Sequence, residues 1–266
     1  MSSFLSRLVV VAVLLPLVLG LVWLGGWWLF GLAVVGGLLA LHELYTIARG
    51  LRPLVLAGYT GLVLTLLGAQ LGDITWLAGG IFAAVGLAFV LFALAETRPP
   101  SATAALATTV LGVVWVGGGL GCLLLLRDLS EHGRLAIITV LLTVFADDTA
   151  AFLVGRLIGR HKLSPSISPG KTWEGFVAGT AAAVAVSFFA LYDQGFLTNV
   201  EALLLGAAVG VAATLGDLFE STVKRDFGVK DSGRLLAGHG GMLDRLDAPL
   251  FAGPVALYVI LAFGYA

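Results

Sequence analysis

The segment EALLLGAAVGVAATLGDLFE, residues 201–220, decides the fold class of this chain. Its interior is apolar, and about 20 predominantly apolar residues are what an α-helix needs to cross a bilayer. Eight further stretches of this kind lie along the chain, at residues 4–24, 27–47, 54–72, 75–95, 103–126, 134–155, 173–192 and 248–264. The pattern predicts an all-α integral membrane protein with about nine transmembrane helices.

The overall composition points to the same class. Of the 266 residues, 59% are hydrophobic and only 12% are charged, which excludes an ordinary soluble globular domain. Stretch 4–24 is long enough to span a membrane and no small-residue cleavage site follows it. We therefore expect a retained helix there and not a removed signal peptide.

Lysine and arginine are distributed unevenly among the loops. Cytoplasmic loops carry the excess of these residues. With the N-terminus in the cytoplasm, thirteen of the 15 fall on the cytoplasmic side, and only Arg127 and Arg134 fall on the other. The count predicts a cytoplasmic N-terminus in the inner (plasma) membrane. It also places both long polar loops, residues 156–171 and 221–247, in the cytoplasm.

The polar residues divide the chain into two parts. Nine of the 16 acids cluster at the predicted cytoplasmic ends of the last four spans, whereas Glu43 is the one acid well placed within the helices of the first half. Residues 1–130 are predicted to be transmembrane helices that supply packing, a lipid cavity and dimer contacts. Residues 131–266 are predicted to be the catalytic region, with the two polar loops.

The stretch that follows residues 201–220 is the most polar of the chain. It reads STVKRDFGVKDSGRLLAGHGGMLDRLD, residues 221–247, and it combines four aspartates, five cations and a glycine-rich run. Carboxylates can hold a hard divalent cation, and lysine and arginine can hold phosphate oxygens. Metal-assisted phosphoryl or nucleotidyl transfer requires both.

Spacing places the acids of this region on shared faces. Asp217 and Ser221 are four residues apart on a helix, and Asp244 and Asp247, if helical, are three apart. Two acidic faces could close on one metal centre, and Mg²⁺ takes few protein carboxylates because it keeps positions for water and phosphate oxygens. The alternative is that the aspartates only pair with neighbouring cations. His239 could be a general base, a metal ligand or a turn residue, and its role stays open.

A second polar region reads ADDTAAFLVGRLIGRHKLSPSISPGKTWEG, residues 146–175. Asp147 and Asp148 lie inside an otherwise apolar helix, where a charge is costly and suggests function. Neighbours on a helix point about 100° apart, so both cannot face one ligand, and we favour Asp148. The alternative is a structural aspartate that bonds Thr149 or lines a polar helix contact.

Residues 166–172 are predicted to be a loop that leads into the seventh span. The backbone amides of that helix start, helped by Ser168, Lys171 and Thr172, suit a phosphate group. The alternative is a basic loop that only fixes topology. Glu174 is expected to cap the helix or to pair with a nearby cation.

These motifs carry a family resemblance. The pattern S-x-V-K-R-x4-K-D-S-G-x2-L-A-G-H-G-G-M-x-D-R-L-D, from Ser221 to Asp247, resembles the hallmark motif of the phosphatidate cytidylyltransferase (CDP-diacylglycerol synthase) family. The runs D-T-x-A-F at 148–152 and S-P-G-K-T-W-E-G at 168–175 resemble it too. The likeness covers essentially the C-terminal half. Ala237 and Phe152 depart from the family pattern, and neither is at a ligand position.

The resemblance implies that CTP and phosphatidate form CDP-diacylglycerol and pyrophosphate with Mg²⁺, and that a second cation is plausible. It implies metal ligands at Asp217, Asp244 and Asp247, with Asp148 as a contributor. The residues that it implies for catalytic phosphate contacts are Lys224, Arg225, Ser221 and Lys171. Those that it implies for substrate binding are Ser168, Thr172, Lys230, Asp231, His239 and Arg245.

The same resemblance implies a membrane-bound homodimer, in which the lipid enters sideways from the cytoplasmic leaflet. We expect no nucleic-acid partner. One alternative is a CTP-dependent cytidylyltransferase for an ether or isoprenoid phospholipid acceptor, because apolar walls that hydropathy does not resolve select the acceptor. The other is a secondary transporter, which should show charges near the midplane in both halves and an inverted repeat.

Overall fold

The computed structural model describes residues 16–95, 101–129, 131–233 and 240–265. Residues 16–24 are helical, and a 3-10 turn, Arg49–Leu51, follows the first complete helix. The helices are α1 (Gly26–Ile47), α2 (Val55–Leu71), α3 (Ile74–Leu94), α4 (Ala102–Arg127, π-helical over Val113–Gly118), α5 (Gly133–Ile158), α6 (Trp173–Leu191), α7 (Asn199–Asp226) and α8 (Leu243–Ala262). An antiparallel hairpin, β1 (Lys162–Ser164) and β2 (Ser168–Thr172), connects α5 to α6.

Length and composition make most of these helices suitable for a membrane. Within the part of the chain that the structure describes, seven helices are long and apolar enough to cross a bilayer, and α2 is a shorter apolar helix. Eight of the nine predicted stretches coincide with helices, which confirms the all-α membrane class. The first fifteen residues, and with them most of stretch 4–24, lie outside the described residues, so the count of nine and the orientation stay predictions.

The chain forms two compact units. One comprises the described residues of Met1–Leu125 and Phe227–Leu246, and the other those of Leu126–Asp226 and Asp247–Ala266. The first unit holds α1, α2, α3, most of α4 and the polar loop up to the first turn of α8. The second holds α5, α6, α7, the hairpin and the rest of α8. Residues 227–246 therefore group with the N-terminal helices, whereas the sequence-based division places them with the C-terminal ones.

In the first unit, glycines let the helices approach closely. A Cβ added at Gly61 of α2 would lie 2.5 Å from Ala84 Cβ of α3, and one added at Gly80 would lie 2.6 Å from the Leu64 carbonyl oxygen. Tyr45 of α1 donates a hydrogen bond from its hydroxyl to the Thr109 carbonyl of α4, at 2.8 Å. Small residues at helix contacts are typical of membrane bundles.

In the second unit, similar contacts bring α5, α6, α7 and α8 together. A Cβ at Gly206 of α7 would lie 2.7 Å from Val184 Cα of α6, and Ser187 donates a hydrogen bond to the Ala202 carbonyl at 2.7 Å. Gly216 of α7 lies directly against the backbone carbonyl of Asp247 in α8. Because Gly216 has no side chain, α8 can bring Asp247 next to the position that follows Gly216, which is Asp217.

Candidate active site

The predicted loop before α6 is a short β-hairpin that leads into the helix. Lys162 pairs with Thr172 and Ser164 pairs with Ser168. Thr172 is buried, and its hydroxyl accepts a hydrogen bond from Gly175 N at 3.1 Å, which caps the helix start. Glu174 accepts hydrogen bonds from the backbone N–H and from Nδ1 of His161, the latter at 2.7 Å, so it pairs with the hairpin.

Lys171, at the end of this hairpin, reaches α7. Its Nζ lies 2.7 Å from Asp217 Oδ2 and donates to the Thr214 carbonyl at 3.4 Å. On the other side of the same carboxylate, Ser221 donates from Oγ to Asp217 Oδ1 at 3.3 Å. The shared helix face that the sequence predicts for Asp217 and Ser221 is confirmed.

Three helices each contribute one aspartate to an acidic cluster around this pair. Asp217 follows Gly216, which lies against the backbone of Asp247 on α8, and Asp148 on α5 and Asp247 are both within electrostatic range of the Asp217 carboxylate. Lys171 attracts Asp148, and Lys224 attracts Asp247. The structure therefore brings together three of the four predicted metal ligands and three of the four predicted phosphate contacts, Lys171, Ser221 and Lys224.

The donor set of this cluster consists of carboxylate oxygens, which are ligands that Mg²⁺ accepts. In the described residues, no group of three or more His, Cys, Asp or Glu side chains is close enough to hold one ion. Mg²⁺ is usually bound by only one or two carboxylates and completes its shell with water and substrate phosphates. Asp148, Asp217 and Asp247 supply carboxylate oxygens of this kind, so the cluster fits a Mg²⁺ ion held by one or two of them.

Asp147 and Asp148 face different surroundings, as their helical spacing predicts. Asp147 is only 1% exposed, and its side chain lies against Gly179 and Gly210 of the neighbouring helices. Asp148 is exposed. Asp148 is therefore the member of the pair that can reach a ligand, whereas Asp147 supports the packing of α5 on α6 and α7.

Lys224 and Arg225, at the end of α7, also diverge. Lys224 Nζ lies 2.6 Å from Oε2 of Glu220, a buried carboxylate one turn earlier. Arg225 Nε donates to the Ile167 carbonyl at 3.3 Å, which ties the end of α7 to the hairpin. The sequence-based prediction named neither partner, although the spacing of four residues between Glu220 and Lys224 allows their contact on one helix.

The second acidic pair begins a helix. Because α8 starts at Leu243, Asp244 and Asp247 are both helical, as the spacing argument required. The Asp244 carboxylate accepts hydrogen bonds from Gly241 N at 2.7 Å and from Ser232 N at 3.2 Å, and these bonds stabilise the conformation of the polar loop. The remaining predicted substrate contacts lie in or beside this loop or on the hairpin, with Lys230, Asp231 and Arg245 exposed and Ser168 half-buried. His239 lies outside the described residues.

Glu43, on α1, is a functional candidate to which the sequence argument gave no role. Its carboxylate is 3% exposed and accepts three hydrogen bonds, all of 2.9 Å, from Ser232 Oγ, Met242 N and Leu243 N. A lone acid inside an apolar helix is a signal of function. The partners could not be read from the sequence, because Met242 is 199 residues away.

The fold and this site define a polytopic membrane protein with an acidic cluster paired to lysines at the ends of its helices. The chain matches the model of the cytidylyltransferase family over residues 5–263. It is 34% identical to a phosphatidate cytidylyltransferase of Staphylococcus haemolyticus over 259 residues, which cover 94% of this chain and 95% of that protein. The chain belongs to the cytidylyltransferase family, and the resemblance found in its motifs is confirmed.

Two further relatives match at higher identity over about half of their length. The phosphatidate cytidylyltransferase of Staphylococcus aureus is 43% identical over 148 residues, which cover 55% of each chain. The phosphatidate cytidylyltransferase of Bacillus subtilis is 39% identical over 153 residues, covering 57% of this chain and 56% of that protein.

Proposed function

We propose that this chain transfers the cytidylyl group of CTP to phosphatidate, with CDP-diacylglycerol and pyrophosphate as products. The observation that carries the proposal is the convergence of Asp148, Asp217 and Asp247 beside Lys171 and Lys224. Acidic oxygens for a cation and ammonium groups for phosphate oxygens are the two components that nucleotidyl transfer needs. The names of the relatives support this choice of substrates.

The reaction is an in-line displacement at the α-phosphorus of CTP. A phosphate oxygen of phosphatidate attacks that phosphorus and forms a new P–O bond. The bond between the α-phosphorus and the bridging oxygen to the β-phosphate breaks, and its electron pair leaves with pyrophosphate. No carbon-bound proton moves, so the task of the protein is to position the reactants and to neutralise their charges.

The residues of the cluster divide this work. Lys171 and Lys224 present ammonium groups as point charges for phosphate oxygens, and Arg225 presents a planar guanidinium that can contact two oxygens at once. Asp217 and Asp247 would hold Mg²⁺, which when bound supplies Lewis-acid neutralisation of the phosphate oxygens, and Asp148 would add negative charge beside it. A ligand role for Asp244 and a second cation stay predictions from the family resemblance.

The site is proposed to face the cytoplasm, where CTP is available. The excess of Lys and Arg in the loops of that side supports this orientation, and the contact of Glu43 with Ser232 and Met242 fits a topology in which the end of α1 and the polar loop lie on one side. Glu43 lies one turn before the end of α1, which the nine-span topology also places in the cytoplasm. Phosphatidate would then enter sideways from the cytoplasmic leaflet.

A homodimer is proposed as the assembled form. Gly79 and Gly86 lie two turns apart on α3, and no atom of the described residues comes within 4 Å of a Cβ added at either, so this face leaves room for another helix to approach closely. The mass of the purified protein in detergent, measured by light scattering after correction for the micelle, tests the proposal. A monomeric mass would contradict it.

The reaction itself is tested by two labelled forms of CTP. Purified protein in detergent is incubated with phosphatidate, Mg²⁺ and CTP that is labelled at either the α- or the γ-phosphate. We expect labelled lipid from the α-labelled nucleotide and labelled pyrophosphate from the γ-labelled one. Lipid labelled from the γ-position would indicate a kinase, and the absence of any labelled lipid would refute the proposal.

The same assay distinguishes the alternative acceptors. Ester-linked phosphatidate, an ether-linked analogue and a polyprenyl phosphate are compared at equal mole fractions in the micelle. We expect the highest kcat/KM with the ester-linked lipid. A clear preference for either of the other lipids would leave cytidylyl transfer intact but change the acceptor.

The metal proposal predicts a loss of turnover without a loss of fold. Asp217→Ala and Asp247→Ala should each lower kcat at least about a thousandfold, because charge stabilisation in the transition state is a large term. Chelation by EDTA should abolish wild-type activity, and added Mg²⁺ should restore it. Each variant should elute like wild type in detergent. Full activity in EDTA, or in either variant, would refute the metal assignment.

A further inference from the structure

We infer that Glu43 is a positioning residue that joins Ser232 of the polar loop to Met242 and Leu243 and fixes the start of α8. Its Oε2 accepts hydrogen bonds from Ser232 Oγ and Leu243 N, and its Oε1 accepts one from Met242 N, all at 2.9 Å. Ser232 precedes the loop segment 233–241, and Met242 and Leu243 follow it. The Glu43 carboxylate on α1 thus links the residue before this segment to the two residues after it.

The chemistry of a helix start explains why a carboxylate suits this place. The first backbone N–H groups of a helix have no partner within the helix, and negative charge near them is favourable. Met242 N and Leu243 N are such groups at the start of α8. Glu43 satisfies both from another helix, in a position where a buried charge without hydrogen bonds would be costly.

The neighbouring residues are matched to this carboxylate. A Cβ added at Gly233 or at Gly241 would collide with the Glu43 side chain. Asp244 completes the arrangement, because it accepts hydrogen bonds from Ser232 N and Gly241 N. Ser232 is therefore held by two carboxylates, through its hydroxyl by Glu43 and through its N–H by Asp244.

The helix that Glu43 fixes, α8, also carries Asp247 of the acidic cluster. Asp247 lies one turn beyond Leu243 on α8, so a shift at the helix start moves this aspartate. Both carboxylate oxygens of Glu43 accept hydrogen bonds from protein donors. We therefore assign Glu43 a positioning role and not a contact with substrate. This step rests on the proposed function, whereas the closure of the loop does not.

Glu43→Gln is the sharpest single change. An amide keeps the shape, but only its oxygen accepts, and its NH₂ group would face a backbone or hydroxyl donor. In hydrogen exchange of the detergent-solubilised protein, peptides covering Ser232 and Met242–Leu243 should exchange at least about tenfold faster, since local opening controls exchange. A peptide from α3 should be unchanged, and Glu131→Gln, at an exposed position, should affect neither.

Activity supplies the second measurement. Glu43→Gln should lower kcat about tenfold or more, while the KM for CTP changes less, because the loss of one charged hydrogen bond displaces a helix and not a nucleotide contact. Gly241→Ala, which pushes a methyl group into the same carboxylate, should reproduce both effects. The effect of Ser232→Ala should be smaller, and combining it with Glu43→Gln should add little, as expected for two residues that share one contact.

The outcomes separate this inference from the proposed function. Unchanged exchange at Ser232 and Met242–Leu243 in Glu43→Gln would refute the inference that Glu43 holds these residues together. Faster exchange in α3 as well would show a general loss of stability and would also overturn it. Local faster exchange with wild-type kcat would refute the positioning role. If the wild-type protein formed no CDP-lipid at all, the proposed function would fail, while the exchange result would still decide whether Glu43 closes the loop.

Discussion

Replacing Lys171 by methionine removes one charge from the candidate site and keeps the length of the side chain. Lys171 Nζ lies 2.7 Å from Asp217 Oδ2, and Coulomb's law with an effective dielectric constant of about 20 gives roughly 6 kcal/mol for unit charges at that distance. The two side chains are 22% and 34% exposed, so solvent screens much of this attraction. A net contribution of about 1.5–3 kcal/mol, typical of a hydrogen bond to a charged group, is the better guide.

That free energy corresponds to a decrease in kcat/KM of about 10- to 150-fold if the contact is needed in the transition state. The assay is the initial rate of CDP-lipid formation in mixed micelles over a range of CTP concentrations. Lys162→Met is the matched control, because Lys162 lies on the other strand of the same hairpin and is exposed. It should keep kcat/KM within about twofold of wild type.

A double-mutant cycle tests whether Lys171 acts through Asp217. In the background of Asp217→Asn, the further change Lys171→Met should cost much less than it does in wild type, because residues in direct contact are not additive. Additive effects would show that the two side chains act separately. If Lys171→Met retained wild-type kcat/KM, the ion pair would have no part in catalysis and the reasoning from its geometry would be refuted.

Two further predictions concern the end of α7 and the orientation in the membrane. Arg225→Lys should lower kcat about tenfold, because it removes the Nε donor to the hairpin and the planar guanidinium. Asp226→Asn, at an exposed position, should keep the wild-type rate. The reverse result would mean that the nucleotide lies on the other side of this helix. For the orientation, two single cysteines are introduced in a Cys122→Ala background. Ser166→Cys should react with an impermeant maleimide only after lysis, whereas Glu131→Cys should react in intact cells. The opposite pattern would show that the topology is inverted.

The helices could be predicted from the sequence because length and hydropathy suffice for a membrane span. The predicted stretch 54–72 corresponds to Val55–Leu71, and 134–155 lies within Gly133–Ile158. The last span is different, since α8 begins at Leu243 and not at the predicted residue 248. The charged residues before 248 are unfavourable in a membrane, but hydrogen bonds from the polar loop to Glu43 and Asp244 start the helix there.

The hairpin between α5 and α6 could not be predicted in the same way. Its strands contain three and five residues, too few for an alternating apolar pattern to be visible. The prolines and serines of SPSISPG indicate a turn, which is correct at the tip. Beside the pair of Lys162 and Thr172, Trp173 N donates to the His161 carbonyl at 2.9 Å, and such contacts are not encoded in a local pattern.

Contacts within one helix could be predicted, and contacts between helices could not. The contact of Ser221 with Asp217 follows from a spacing of four residues. The contacts of Lys171 with Asp217 and of Glu43 with Leu243 join distant segments, 200 residues apart in the second case. The sequence therefore identified chemically suitable residues, but it could not show which cation faces which carboxylate.

The glycines of the polar loop show why a motif should not be assigned to substrate binding as a whole. Gly240 has a backbone φ of 78°, a conformation that glycine adopts readily and other residues do not. Gly233 and Gly241 are required for a different reason, since a side chain at either would collide with Glu43. These three positions shape the loop without any nucleotide. Within this region, Lys224, Arg225 and Asp247 therefore remain the candidates for catalysis, because their side chains carry the charges.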